Sequence, residues 1–337
     1  MARNGMRSVA DAVEMIKLGK TLLLAGDETL LAQLPAGNWI AGTTVSFMTE
    51  DGGTTDKERV FVTDLSDFTD RAIVKRYQIS EIPRIANDYS AAGFTVLIVP
   101  SGSEIHASFA KKVQSYEGVF NSPLLGWISG VDISETKTRK PKVFAGTPEP
   151  LSDEAVALHV TLPLGKLAHL EIINLFLPSD GDTILFHQEG FSCDGECTIS
   201  GRPANFASYI AAQGIDTKLP LVANYNGTMI NVSIQSVDAL TGKVQFYAPV
   251  FPGVEYRIAS PMEDYASQFE QYMEIEQFMQ DAGACETVFS CNCLLNFLHA
   301  GLQGKKTGSL IGPVTFGEIA YMLLNQTLVC LKVTDTA

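Results

Sequence analysis

Gly37-Asn38-Trp39-Ile40-Ala41-Gly42 recurs as Leu125-Gly126-Trp127-Ile128-Ser129-Gly130, and these two stretches hold the only tryptophans of the chain. Each is followed by a polar loop and a second strand-like run, Glu58 to Leu65 in one case and Pro141 to Gly146 in the other. Aromatic and β-branched residues bracketed by glycine read as strands. Self-similarity of this kind marks related structural units. Two units facing each other are therefore expected, with Trp39 and Trp127 as an aromatic wall between them.

The 337 residues allow about two domains. With 46% hydrophobic and 18% charged residues the chain is globular, because disorder needs the opposite balance. Its net charge of −14, with no run of five Lys or Arg, excludes an electrostatic footprint for nucleic acid or anionic lipid. The longest apolar runs, such as Phe94 to Val99, fall far short of the ~20 residues of a spanning helix. Arg3 and Arg7 precede no apolar core with a cleavage site, so no secretory signal is read. Six cysteines are too few for a disulfide scaffold. A cytoplasmic protein is expected.

Helical and strand signals interleave along the chain. Apolar spacing predicts a helix over 8–18 stopped by Gly19, and Asp27 reads as the N-cap of a second. Further helices are predicted over Ile82 to Ala92, after Ser101 (with Glu104 as its capping box) and from Pro203 to Gly214. The hairpin signal Asp51-Gly52-Gly53 and the short, evenly spaced strands of the middle suggest antiparallel sheets. Ser260-Pro261 opens a helix to Asp281, with Met262, Tyr265 and Phe269 on one face and Glu263, Glu270, Glu274 and Asp281 on the other. The expected fold is mixed α/β (α+β): two lobes of largely antiparallel sheets flanked by helices, residues 1–150 and 151–337, sharing one cleft.

The common catalytic fingerprints G-x-S-x-G, G-x-x-x-x-G-K-[ST], G-x-G-x-x-G and H-E-x-x-H are absent from the sequence. Cys193 and Cys197, with Cys285, Cys291 and Cys293 further on, carry thiols of the kind that bind zinc or iron–sulfur clusters. Their C-x5-C and C-x-C spacings are poor matches to structural zinc pairs, so no metal or other cofactor is expected. His159, in the apolar run Ala155 to Leu162, reads as a hydrogen-bonded core residue.

The C-terminal third resembles the FIST domain, a sensory module of bacterial signal-transduction proteins. Gly312-Pro313-Val314-Thr315-Phe316-Gly317-Glu318-Ile319 is similar to that family's glycine–aromatic–Gly-Glu-Ile signature. Val288-Phe289-Ser290-Cys291 resembles its strand ending in cysteine, and Asn325-Gln326-Thr327-Leu328 its terminal N-x-T strand. The likeness covers residues 200–333, and residues 20–65 look faintly like the family's N-terminal half. Asn292-Cys293 stands where that family usually has an arginine, and no output domain is attached.

The resemblance implies a small-ligand sensor without catalysis, taking amino acids or related metabolites and acting on a signalling protein partner. Glu318 would bind a cationic or hydroxyl group, with Cys291, Asn292, Thr315, Phe316, Gly317 and Asn325 lining the pocket. Two alternatives stand beside it. One is an enzyme using Cys291 or Cys293; the other is an interaction module docking through the acidic helix 261–281.

Overall fold

In a computed structural model of the chain, the described residues are 3–225, 227–262, 265, 267–269, 271, 272 and 285–336. The first helix, Val9–Lys17, forms where its apolar spacing predicts. Ser8 caps it, its hydroxyl accepting the Asp11 N–H at 3.1 Å. Ala12 and Ile16 are buried against Leu22, Leu24, Trp39, Val60 and Val62, so the helix covers one face of the sheet that follows.

By internal contacts the chain divides into two units. Unit 1 is Met1–Ile173, Ala266–Met322 and Leu328–Ala337; unit 2 is Asn174–Tyr265 with Leu323–Thr327. Both are mixed α/β with largely antiparallel sheets.

Unit 1 contains one strand pattern three times. The first copy comprises β1 (Asn4–Arg7), β2 (Leu22–Gly26), β3 (Trp39–Thr43), β4 (Ser46–Thr49), its hairpin partner β5 (Gly52–Thr55), and β6 (Val60–Asp64). The second comprises β7 (Arg71–Tyr77), β8 (Gly93–Pro100), β9 (Leu124–Ser129), β10 (Val143–Ala145) and β11 (Ala155–Thr161). The third comprises β12 (Lys166–Ile173), β13 (Glu286–Cys293), β14 (Gly312–Thr315), β15 (Glu318–Ala320) and β16 (Leu328–Asp335).

The sheets run β1-β6-β2-β3-β10, then β7-β11-β8-β9-β15, then β12-β16-β13-β14-β4-β5. Each copy thus orders its own strands in the same way and borrows β10, β15, or β4 together with its hairpin partner β5, from another copy. The first borrows from the second, the second from the third and the third from the first, which closes a ring of exchanged strands. In every sheet the central pair, β2/β3, β8/β9 or β13/β14, is parallel and the other pairings are antiparallel. A parallel pair needs a crossover, and the helices Glu28–Leu31, Glu104–Lys112 and Leu294–His299 lie in these three connections. The short-strand pattern did not announce these parallel pairs.

The ring gives the repeated tryptophan stretches their meaning. Trp39 lies on β3 and Trp127 on β9, the third strands of two copies, and β14 (Gly312–Thr315) is their counterpart in the third. Opposite the borrowed strands Gly42, Trp127 and Val314 stand at matching positions, so the two tryptophans are offset along their strands. The glycines permit close approach. Gly126 has φ 147°, and a Cβ there would collide with the Leu97 carbonyl of the neighbouring strand; a Cβ on Gly130 would enter the Phe316 ring.

Unit 2 lies in the chain between β12 and β13. Its larger sheet orders Arg202–Asn205, Glu196–Ile199, Ile184–Leu185, Glu255–Ile258, Leu221–Tyr225 and Thr228–Val232, and its smaller one Gly190–Cys193, Lys243–Val250 and Ile234–Asp238. Phe186 meets Phe206, Phe246 and Tyr256 edge-on with centroids 5.4 to 5.5 Å apart.

Several local expectations are corrected. Ser103, not Ser101, caps the helix Glu104–Lys112. Ile82–Asp88 is a 3-10 segment kinked at Arg84. Pro203 lies in a strand, and the helix begins at Phe206 with Asn205 as its cap. The acidic helix 261–281, with its docking face of Glu263, Glu270, Glu274 and Asp281, falls largely outside the described residues. Replacing Gly126 by Ala should destabilise the protein by at least ~2 kcal/mol. Gly195→Ala, where the new methyl meets nothing, should change stability by less than ~0.5 kcal/mol; urea unfolding midpoints measure both.

Candidate functional site

Strand pairing brings most of the residues singled out in the C-terminal third together. Glu318 lies opposite Trp127 on β15 and β9, so both side chains share one face of that sheet. Cys291 on β13 donates its thiol to the Gly126 carbonyl at 3.5 Å. Thr315 donates to the Gly317 carbonyl at 3.1 Å, and the Asn292 carboxamide oxygen accepts from Asn296 at 3.0 Å. The Phe316 N–H donates to the Ile128 carbonyl.

This cluster is interior. Glu318 and Thr315 are 0% exposed, Cys291 1% and Asn292 2%. Burial pushes the Cys291 thiol well above its ordinary pKa, and the nearby Glu318, Cys330 and Cys293 push it further. A buried thiol held in its neutral form is a poor nucleophile, so this geometry does not favour Cys291 in that role.

The tryptophans do not form a common wall. Trp39 packs in the cluster beneath the first helix and donates its indole N–H to the Pro35 carbonyl at 2.9 Å. Trp127 stacks on Phe289 with centroids 5.5 Å apart. Asn325 is buried in unit 2, beside Gln326, which adopts φ 48°. Among the described residues no group of three or more His, Cys, Asp or Glu is arranged to hold a metal ion.

A second polar constellation, built on β7, β8 and β11, reaches the surface. His159 and Thr95 are direct cross-strand partners, and Thr95 Oγ1 lies 2.9 Å from His159 Nδ1. On the other side of the ring, Nε2 lies 2.7 Å from the Tyr77 hydroxyl, which donates to Asp88 Oδ2 at 2.7 Å. Lys75 Nζ reaches the same carboxylate oxygen at 2.6 Å. A carboxylate only accepts, so Tyr77 must receive its hydrogen bond from Nε2–H, and Thr95 must donate to Nδ1. The chain Thr95–His159–Tyr77–Asp88–Lys75 is then satisfied at every link.

Its outer end opens into a hollow of about 220 Å³ lined by Lys75, Tyr77, Glu81, Arg84, Asn87 and Asp88. Arg84 stands at the kink of the 3-10 segment, with φ −107°. Its guanidinium has no ion-pair partner among the described residues. Burial pushes the His159 pKa down to about 4, Asp88 pulling it up and Lys75 down again. Burial would raise the Asp88 carboxyl, but hydrogen bonds from Lys75 and Tyr77 outweigh it and leave the pKa lowered. Burial, and then Asp88, raise that of Tyr77.

His159 is the hydrogen-bonded core residue that its apolar strand predicts. Lys75, Tyr77, Arg84 and Asp88 were not anticipated. The available signal was Lys75 and Tyr77 at alternate positions of β7, which puts both on one face.

The chain belongs to DUF6976, a family of unknown function whose match covers residues 7–334. A search of curated proteins finds no match. The FIST resemblance is corrected accordingly: the family shown is DUF6976, and it takes in nearly the whole chain. The glycine–aromatic–Gly-Glu signature has a source within the fold, being the third copy of the strand that Trp39 and Trp127 mark in the other two.

The histidine predicts a pH dependence. Between pH 6.5 and 4 the unfolded chain binds a proton at residue 159 that the native protein excludes, so stability falls as pH drops through that window. The shift corresponds to about 3 kcal/mol. His106, likewise pushed down to about 4 by burial, adds its own slope. Unfolding free energies at pH 7 and pH 4.5 should therefore converge for His159→Gln relative to the native protein without becoming equal.

Proposed function

We propose that this DUF6976 member is a cytoplasmic protein that binds a small zwitterionic metabolite of amino-acid type in the Arg84–Asp88 hollow and does not transform it. The carrying observation is the Arg84 guanidinium, without an ion-pair partner among the described residues, in a hollow that it shares with a carboxylate anchored by a buried hydrogen-bond chain. A guanidinium fork matches a ligand carboxylate bidentately. Glu81 and Asp88 supply the negative charge that an ammonium group needs.

The size of the hollow supports a small ligand, since drug-sized molecules occupy roughly 300–1,000 Å³. The absence of turnover is supported by the electrostatics. Tyr77 is held in its neutral form, and both His159 nitrogens are engaged, so the hollow offers no activated base or nucleophile. The chain Tyr77–His159–Thr95 then serves as a rigid mount for Asp88. Six free thiols are in keeping with a reducing compartment, and no helix among the described residues is long and apolar enough to cross a membrane. The signalling partner rested on the FIST resemblance and loses its basis with it.

Isothermal titration with the common amino acids, and with their N-acetyl and amide derivatives, tests the reading. At least one free amino acid should bind and its blocked forms should not. Arg84→Ala should weaken binding by ~10-fold or more, the scale of a lost charge-assisted hydrogen bond. Silence across the panel, or equal affinity in Arg84→Ala, would overturn the proposal.

A further inference from the structure

The wall of the Arg84–Asp88 hollow in unit 1 has an order that goes beyond its charge. Glu81, Arg84 and Asn87 stand three residues apart, and all three line it. A 3-10 helix turns once in three residues, so positions at this interval share one side. Burial keeps the same interval along Ile82–Asp88 despite the kink at Arg84. Ile82 and Ile85 are buried, whereas Glu81, Arg84 and Asn87 are exposed. Two neighbouring charges of opposite sign could neutralise each other here, and they do not. Glu81 Oε2 instead accepts the Gln78 N–H at 2.9 Å, and no ion pair among the described residues joins it to Arg84. Lys75 and Asp88, by contrast, neutralise each other across 2.6 Å. The bonds from Lys75 and Tyr77 both fall on Asp88 Oδ2, so Oδ1 still accepts from a ligand. The sum is an electrically balanced hollow with one cation and one anion left open.

A balanced site leaves a charged ligand side chain uncompensated, which is costly once water is displaced. An aliphatic side chain gains little either. Tyr77 supplies the one ring among the lining residues, and Lys75 Nζ lies over its face, 5.2 Å from the centroid. Asn87 completes the row, and its carboxamide has no hydrogen-bond partner among the described residues. A carboxamide donates and accepts at once, so two of them can pair reciprocally. Asn174 and Asn231 do so in unit 2, with both N–H···O bonds at 2.9 Å. We propose that the hollow selects amino acids with a carboxamide side chain, glutamine or asparagine, and that Asn87 is the residue that reads the amide. The selection rests on the zwitterion reading above: Arg84 takes the carboxylate, Glu81 and Asp88 Oδ1 the ammonium group, and Asn87 the side chain.

Titration calorimetry of the full chain with glutamine, asparagine, glutamate, methionine and alanine tests the selection. Glutamate changes only the charge of the side chain, methionine its polarity at similar length, and alanine omits it. Glutamine or asparagine should bind at least ~10-fold tighter than glutamate and methionine, because a site built to hydrogen-bond a group rejects analogues that leave it unpaired. Asn87→Leu should weaken the carboxamide ligand by ~10-fold, the scale of one or two lost hydrogen bonds. It should leave alanine within about 2-fold, as expected of an exposed substitution; an unchanged urea midpoint shows that the variant folds. Glutamate or methionine binding as tightly as the carboxamide amino acids would overturn the selection and leave the zwitterion reading standing. So would equal losses of the carboxamide ligand and alanine in Asn87→Leu, or no loss of the carboxamide ligand. Silence from all five ligands would also overturn the selection, and silence from the remaining amino acids as well would take the zwitterion reading with it.

Discussion

The constraint on which unit 1 rests is the exchange of β10, β15 and β4 among its three copies. Each copy orders four of its own strands and leaves the third, β3, β9 or β14, with an open edge. Residues of another copy close that edge: Val143 opposite Gly42, Glu318 opposite Trp127 and Ser46 opposite Val314. Backbone groups left open in the interior are costly, so the three closures stabilise one another. The glycines at the crossings follow from the same requirement. At Gly126 and Gly130 neighbouring backbone or an aromatic ring already occupies the space that a side chain would fill.

The three copies differ most in one connection, between their first and second strands. The first copy holds the amphipathic helix Val9–Lys17 there. The second holds the kinked 3-10 segment with Arg84 and Asp88. The third accommodates most of unit 2 in the same interval. Connections vary more freely than the elements they join and often carry function. The candidate ligand site and the inserted unit therefore occupy corresponding places on a common scaffold. The interior cluster of Cys291 and Glu318 belongs to the scaffold itself, where the strands of two copies meet.

The fold was partly legible. Tryptophan is rare enough that Trp39 and Trp127 stood out as a pair, and the alternation of strands and glycines indicated largely antiparallel sheets. The third copy was hidden because its third strand, Gly312–Thr315, carries no tryptophan, so the same structural role looked like the signature of another family. Parallel pairs were hidden because crossovers as short as Glu28–Leu31 leave little helical periodicity. The surface site was illegible for a different reason. Tyr77, Asp88 and His159 come together only through the order β7-β11-β8, and no spacing along the chain encodes that order.

The ring also governs how the protein emerges from synthesis. The first copy is made first, yet the second edge of its β4, the one not paired with β5, has no partner until β14 has been translated, more than half the chain later. Throughout that interval the hairpin of β4 and β5 exposes an open sheet edge, which can pair with another chain as readily as with its own. Contacts this distant in sequence also slow folding. Completion of the third copy is therefore the event that retires the hazard. A nascent chain halted within unit 2 has both of its first two copies and the β10 that closes the first, but lacks the β15 that closes the second and the β14 that β4 pairs with.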